Sequence, residues 1–422
     1  MNNIFEIISK KGNGINLEID EIKYFLDSIQ NNSIDNSQIS ALLMAIYING
    51  MNQTELSEYT RGLINSGKQI THDCNGFIID KHSTGGVGDK VSFIVGPILA
   101  ALGYYVPMVA GRSLGFTGGT IDKLESISGY DVNLGIDKFK KNVKDIGISI
   151  IAQTDFICPL DRKIYSIRDL TATIASTPLI AGSIMSKKIA EGVQGLIIDM
   201  KIGKGTFIKN KTIGQQLIGL MHSIAKNYDI KFNYIMSSMD HPLGKTSGLY
   251  TEIEESIDSL KGKGESELMK VVYSIAMKSQ ELAGDSISLD KINQVISSGM
   301  AYEIFNKMIS SHGGDLSKSN NVPSHEILIY SDSEGYINSI DAKMIGLSNV
   351  IIGCGRINHK SILDYSAGIE IIRGVGKFVR IGDPIIRAFC SNINKLDSIR
   401  KNLSTCFIID QDKKDIKEII IE

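Results

Sequence analysis

The chain of 422 residues is short of cysteine, having only Cys74, Cys158, Cys354, Cys390 and Cys406, an odd number, widely scattered and never in a Cys-x-x-Cys pair. This excludes a disulfide framework and a thiolate metal cluster and fits reduced packing residues of a cytoplasmic protein. Charge bias is missing as well. Lys and Arg number 45 against 47 Asp and Glu, net −2, so neither a basic field for nucleic acid nor an acidic tail is present. No apolar run reaches the roughly 20 residues that span a bilayer, which excludes a membrane partner of that kind. Met1-Asn-Asn-Ile-Phe-Glu-Ile-Ile8 lacks the charged region and long apolar run of a secretory signal. His72, His222, His241, His312, His325 and His359 show no ligand spacing and are read as structural or exposed. Fixed-period repeats and low-complexity segments are absent too.

The familiar nucleotide loops are also missing. Gly244-Lys245-Thr246 has the second half of a Walker A loop, but Met239 stands where its first glycine is needed, and no Gly-x-Gly-x-x-Gly follows the relevant strand. A nucleoside triphosphate or dinucleotide is disfavoured against a free phosphate or phosphosugar.

What the chain does have is two glycine-rich segments, Lys81-His-Ser-Thr-Gly-Gly-Val-Gly-Asp-Lys90 and Ala110-Gly-Arg-Ser-Leu-Gly-Phe-Thr-Gly-Gly-Thr-Ile-Asp-Lys-Leu-Glu125. Glycines strip side chains from each loop while Lys, Ser and Thr supply donors. The first follows the short apolar run Gly76–Asp80 and precedes a buried helix over Val91–Leu102; the second follows a strand over Tyr105–Val109 and runs into a helix from Ile121. Both therefore lie at the C-terminal ends of strands in an α/β sheet, where backbone N–H groups and a following helix favour phosphate.

The rest of the chain reads as an α/β protein with a small discontinuous all-helical domain and a β-rich C-terminal subdomain. Residues 1–66 have helical periodicity, with Ile39, Leu42, Leu43, Ile46 and Tyr47 on one face and a capping box at Asn52-Gln-Thr-Glu55. Their apolar surface exceeds what a bundle of this size needs, so it meets a second helical segment or a second subunit. The helical partner is 161–193, interrupted at Pro178. Between them lies the first α/β part, 71–156; the second, 195–322, begins with the buried strand Gly195-Leu-Ile-Ile-Asp-Met-Lys-Ile202, and 323–422 consists of short, mostly antiparallel strands.

Together with Tyr165-Ser-Ile-Arg-Asp-Leu-Thr-Ala-Thr173 and Ser183-Ile-Met-Ser-Lys-Lys188, the two glycine segments resemble the thymidine and pyrimidine-nucleoside phosphorylases over essentially the whole chain. The resemblance implies a helical and a larger α/β domain with the active site in a cleft, a homodimer formed through the helical domain, and phosphorolysis of a pyrimidine (deoxy)nucleoside to free base and (deoxy)ribose 1-phosphate. Inorganic phosphate is the cosubstrate and no organic cofactor is expected. Such a reaction needs a held phosphate, a fixed sugar and neutralisation of the charge appearing on the departing base, so positioning and electrostatics supply the catalysis.

By that resemblance Lys81, Ser83, Ser92 and Thr120 hold phosphate, with Ala110 contributing only its main chain where a serine is usual. Arg168, Ser183 and Lys187 bind the base, and Ser183 and Lys187, four apart, share a helix face. His82 is the candidate proton donor. Met108 stands where relatives that accept uridine well carry lysine, which favours thymidine and deoxyuridine. Gly88, Leu243, Thr246 and Glu255 match the site of a monovalent cation, K⁺, in some members; Lys90 stands where a hydroxyl ligand belongs, and its ammonium would take the cation's place beside Glu255. Ser113 and Phe116 depart from the usual glycine and histidine. A phosphoribosyltransferase of related fold would show an acidic metal pair that the sequence does not reveal; a non-catalytic nucleoside- or phosphate-binding protein is the reading from another class.

Overall fold

The computed structural model describes residues 3–112, 115–116, 118–319, 321–356 and 361–421. The elements run α1 (Ile4–Gly12), α2 (Ile19–Gln30), α3 (Asn36–Asn49), α4 (Gln53–Asn65), β1 (Ile79–Ser83), α5 (Val91–Ala101), β2 (Val106–Ala110), α6 (Thr120–Leu124), α7 (Ile136–Ile146) and β3 (Ile148–Ala152). Then come α8 (Pro159–Leu170), α9 (Thr177–Ala190), β4 (Gly195–Ile202), α10 (Lys211–Asn227), β5 (Lys231–Ser238), β6 (Thr246–Gly248) and α11 (Tyr250–Asp258). The last part has α12 (Ser266–Ala283), α13 (Leu289–Ser297), α14 (Met300–Ser311), β7 (His325–Tyr330), β8 (Gly335–Ile340), α15 (Ala342–Ile352), β9 (Gly368–Ile371), β10 (Phe378–Val379), β11 (Pro384–Cys390), α16 (Ile393–Ser404) and β12 (Phe407–Asp410).

Two compact units divide the chain. The first is Met1–Asp80, Gln153–Leu196 and Lys211–Phe232; the second is Lys81–Ala152, Ile197–Asn210 and Asn233–Glu422. The first unit is helical, and its core joins Ile7, Phe25, Ile29, Leu42, Leu43 and Leu63 to Leu160, Ile164 and Leu179 of α8 and α9. Asn52 and Glu55 form the expected capping box on α4. Glu55 also accepts from Lys11 Nζ at 2.6 Å and from the Leu17 amide at 2.8 Å, a buried pair that ties α1 to α4. Tyr47, expected on the buried face, is 43% exposed. Pro178 lies in the first turn of α9, where its missing N–H costs no helical bond, so it starts that helix instead of interrupting it. Residues 211–232, grouped in the sequence reading with the second α/β part, cluster with the helical unit because Leu217, Met221 and Ala225 of α10 are buried there, against α9 and α4.

In the second unit β2 and β3 pair in parallel, Val106 to Ile148 through Ala110 to Ala152, with α7 as the crossover. Strand β1 belongs to a separate three-stranded sheet ordered β1-β4-β5. The two glycine segments thus follow strands of different sheets, where the sequence had suggested one. Helix α5 is buried on nearly every side and packs on α12 and α14. The C-terminal strands form antiparallel sheets β6-β9-β11-β7 and β10-β8-β12, with α15 and α16 beside them, and they stay within the second unit. No helix among the described residues is long and apolar enough to cross a membrane.

Candidate active site

Lys81, His82 and Ser83 are part of β1 itself, not of the loop after it. Side chains alternate along a strand, so Lys81 and Ser83 share one face. Both meet Asp89: the Ser83 hydroxyl donates to its carboxylate, and Lys81 Nζ lies 4.0 Å away. Lys81 is 2% exposed, and its Nζ also donates to Ser92 Oγ at 3.4 Å and lies 3.8 Å from Asp199. Gly85 and Gly88, at φ of 87° and 75°, make the turn that returns the chain to the start of α5, where Ser92 is the second residue. A Cβ on Gly88 would lie 2.6 Å from the Leu243 carbonyl oxygen, so only glycine passes there.

More charge lies behind this face. Lys201 Nζ is 2.8 Å from Asp199, and Lys123 Nζ donates to the Asp89 carbonyl at 2.9 Å and to Glu252 at 2.5 Å. Lys123, Lys201, Asp199 and Glu252 are all at most 1% exposed. Burial would raise the Asp89 carboxyl; Lys81, Lys201, the Ser83 hydroxyl and Lys123 together hold it far below its ordinary range. Three buried ammonium groups stand among three buried carboxylates. Ala110 closes β2, and half-buried Thr120 opens the short helix α6.

In the first unit, Arg168 on α8 is 1% exposed and spends its guanidinium on main-chain carbonyls: Ile174 at 2.7 Å, Leu179 at 3.1 Å and Thr173 at 3.4 Å. These bonds fix the turn between α8 and α9. On α9, Lys187 Nζ donates to Ser183 Oγ at 2.9 Å, to the Ser183 carbonyl, and to Asp161 at 2.6 Å. Asp161, 1% exposed, thus carries the countercharge of Lys187. The neighbouring Cys158 thiol is pushed up to about 12, chiefly by burial and then by Asp161, so it is no nucleophile near neutral pH. One residue along α9, Lys188 binds Asp80 and lies 3.0 Å from Glu191, all three fully buried.

Family models match this architecture in three parts: the glycosyl transferase family helical bundle domain over residues 5–67, its a/b domain over 75–302, and the pyrimidine nucleoside phosphorylase C-terminal domain over 336–410. A pyrimidine-nucleoside phosphorylase of Staphylococcus epidermidis is 36% identical over 417 residues, 96% of each chain. A thymidine phosphorylase of Colwellia psychrerythraea is 36% identical over 431 residues, 98% of each. The chain belongs to the pyrimidine-nucleoside phosphorylase family. As a member it is a pentosyltransferase. The crystal structure of anthranilate phosphoribosyltransferase from Thermus thermophilus shares the fold, with TM-score 0.59 at 15% identity, over 72% of this chain and 99% of that one.

Against the family's pattern, Lys81 and Ser83 meet at Asp89 and Lys81 reaches Ser92 in one unit, while Ser183 and Lys187 meet in the other, with Arg168 anchored at the foot of the same helix pair. Ser113 lies outside the described residues; Phe116 is half-buried and faces the Phe207 ring at 5.6 Å. Asp161, Lys123, Asp199, Lys201 and Glu252 were not singled out in the sequence. A signal existed for two of them, because Asp199 and Lys201 interrupt a strand otherwise wholly apolar, and buried charges there need partners.

The monovalent cation of some family members does not fit this chain. Lys90 Nζ donates to the carbonyls of Leu243 at 2.8 Å and Thr246 at 2.9 Å and lies 2.9 Å from Glu255 Oε2, three of the four expected ligand residues. An ion placed among those oxygens would overlap the ammonium. No cluster of His, Cys, Asp and Glu among the described residues has the form of another metal site.

Proposed function

We propose that this protein cleaves pyrimidine nucleosides by phosphorolysis, favouring thymidine and deoxyuridine, with inorganic phosphate as nucleophile and no organic cofactor. The observation that carries the reading is the donor set of buried Lys81 on β1 and half-buried Ser92 at the head of α5, joined by Ser83 through Asp89. Phosphate held there attacks C1′ of the sugar as the bond from C1′ to the pyrimidine nitrogen breaks. The electron pair leaves with the base, where Arg168 and Lys187 neutralise the charge developing on the ring and Ser183 bonds its edge. His82, half-buried on β1, is the proton donor to the leaving base. Thr120 and the Ala110 main chain complete the phosphate contacts. Met108, 2% exposed in β2, has no donor for a 2′-hydroxyl, which supports the deoxynucleoside preference.

Exposed Phe5, Met44, Tyr47 and Ile48 on α1 and α3 support a homodimer through the helical unit, which light scattering tests. The activity itself is tested by incubating the protein with thymidine with and without phosphate. Thymine and a sugar 1-phosphate should form only with phosphate, and kcat/KM should be higher for thymidine than for uridine. Equal release of thymine in phosphate-free buffer would refute phosphorolysis.

A further inference from the structure

Lys90 is fully buried, immediately before α5, and a lysine ammonium has three N–H donors and no acceptor. Here three oxygens surround it: the Leu243 and Thr246 carbonyls and the Glu255 carboxylate. Glu255 in turn accepts from the amides of Lys245 at 2.7 Å and Thr246 at 2.8 Å and from Thr246 Oγ1 at 2.6 Å. Burial raises the Glu255 carboxyl, but Lys90 and these donors outweigh it and bring it below its ordinary value. The space is closed around the ammonium. A Cβ on Gly244, at φ 78°, would stand 2.5 Å from Glu255 Oε1 and 2.8 Å from Lys90 Nζ.

Two carbonyl oxygens and a carboxylate converging on one point form a hard-oxygen set suited to an alkali cation. Without a positive charge the buried Glu255 would lose its main countercharge.

We propose that Lys90 is a covalently tethered replacement for a monovalent cation, so that this chain's cation site is permanently filled and its stability and turnover are independent of K⁺. The tether also fixes where the charge sits. It joins the segment 243–246 to the start of α5, two residues before Ser92, and so holds the phosphate-facing end of that helix without drawing on the ionic content of the medium. Removing the side chain while leaving Glu255 should turn the locus into a site that must be filled from solution.

The test compares melting temperatures in potassium chloride and in choline chloride at equal ionic strength. Wild type should melt at the same temperature in both, with unchanged kcat/KM. Lys90→Thr should be destabilised in choline and should recover saturably with K⁺, by about 2 °C at ten times its Kd. Lys90→Met, which fills the space without charge, should be destabilised in both salts and gain nothing from K⁺. Lys90→Thr combined with Glu255→Gln should lose the K⁺ response. Saturable stabilisation of wild type by K⁺ would overturn the proposal, and this measurement holds whether or not Lys90→Thr folds. A folded Lys90→Thr indifferent to K⁺ would overturn it too.

Discussion

Replacing Lys187 with alanine should do two separable things: abolish turnover and loosen the helical unit. The second effect follows from Asp161, which is 1% exposed and takes Lys187 Nζ at 2.6 Å. Truncating one side of a buried ion pair typically costs about 3–5 kcal/mol, because the other charge is left without compensation. The Lys187 side chain is 14% exposed, so water reaches the gap in part and the lower end, about 3 kcal/mol, applies. Adding Asp161→Asn removes the stranded charge and should leave a deficit of only about 1 kcal/mol, the size of an ordinary hydrogen bond. Hydrogen exchange in peptides covering α8 and α9 reads this directly as local opening. Lys187→Ala should exchange roughly 100-fold faster there than wild type, while the double variant should recover most of the protection. Turnover should remain lost in both, because neither restores a cation to the base. Wild-type protection in Lys187→Ala, or a double variant no better protected than the single, would refute the assignment of Asp161 as the countercharge.

Asp80→Asn should destabilise the protein far more than Glu191→Gln, since Asp80 faces Lys188 while the Glu191 carboxyl is raised well above its ordinary value, by burial first and then by Asp80, against the pull of Lys188. A carboxyl raised in the folded state stabilises at low pH and loses that contribution as pH rises through its folded value, so urea titrations should show the Glu191→Gln penalty shrinking toward high pH. Ala110→Ser should restore a hydroxyl at the end of β2 and tighten phosphate KM by about 2–10-fold, as one hydrogen bond predicts; phosphate titrations of initial rate check it. Gly244→Ala should lower the melting temperature sharply, because φ is 78° and the new Cβ would meet both Glu255 and Lys90.

Local structure was largely legible. The capping box at Asn52, the buried helix after Lys90 and the pairing of Ser183 with Lys187 all follow from short-range pattern, which the chain obeys, whereas the strand expected over Gly76–Asp80 is shifted to Ile79–Ser83 and takes in Lys81. The partners of these residues were less so. Asp161 comes to Lys187 from 26 positions away, and Glu252 to Lys123 from 129, because tertiary packing sets such pairings and no spacing rule reaches them. Helix α10 was misgrouped for a related reason: its apolar stripe shows that it is buried, but not beneath which neighbours. Lys90 was a readable exception, since a lysine where a ligand belongs announces its own chemistry.

The first unit is assembled from three separate stretches, the last ending at Phe232. During synthesis, residues 1–80 therefore emerge long before their remaining partners, about 150 residues and roughly 8–30 s later at ordinary ribosomal speeds. For about the first 110 of those residues, until α9 ends at Ala190, Leu42, Leu43 and Tyr59 lack the cover of α8 and α9. Fragments that end between Asp80 and Ala190 should therefore expose this core and aggregate, and fragments ending soon after Phe232 should complete the first unit while leaving the second without Asn233–Glu422.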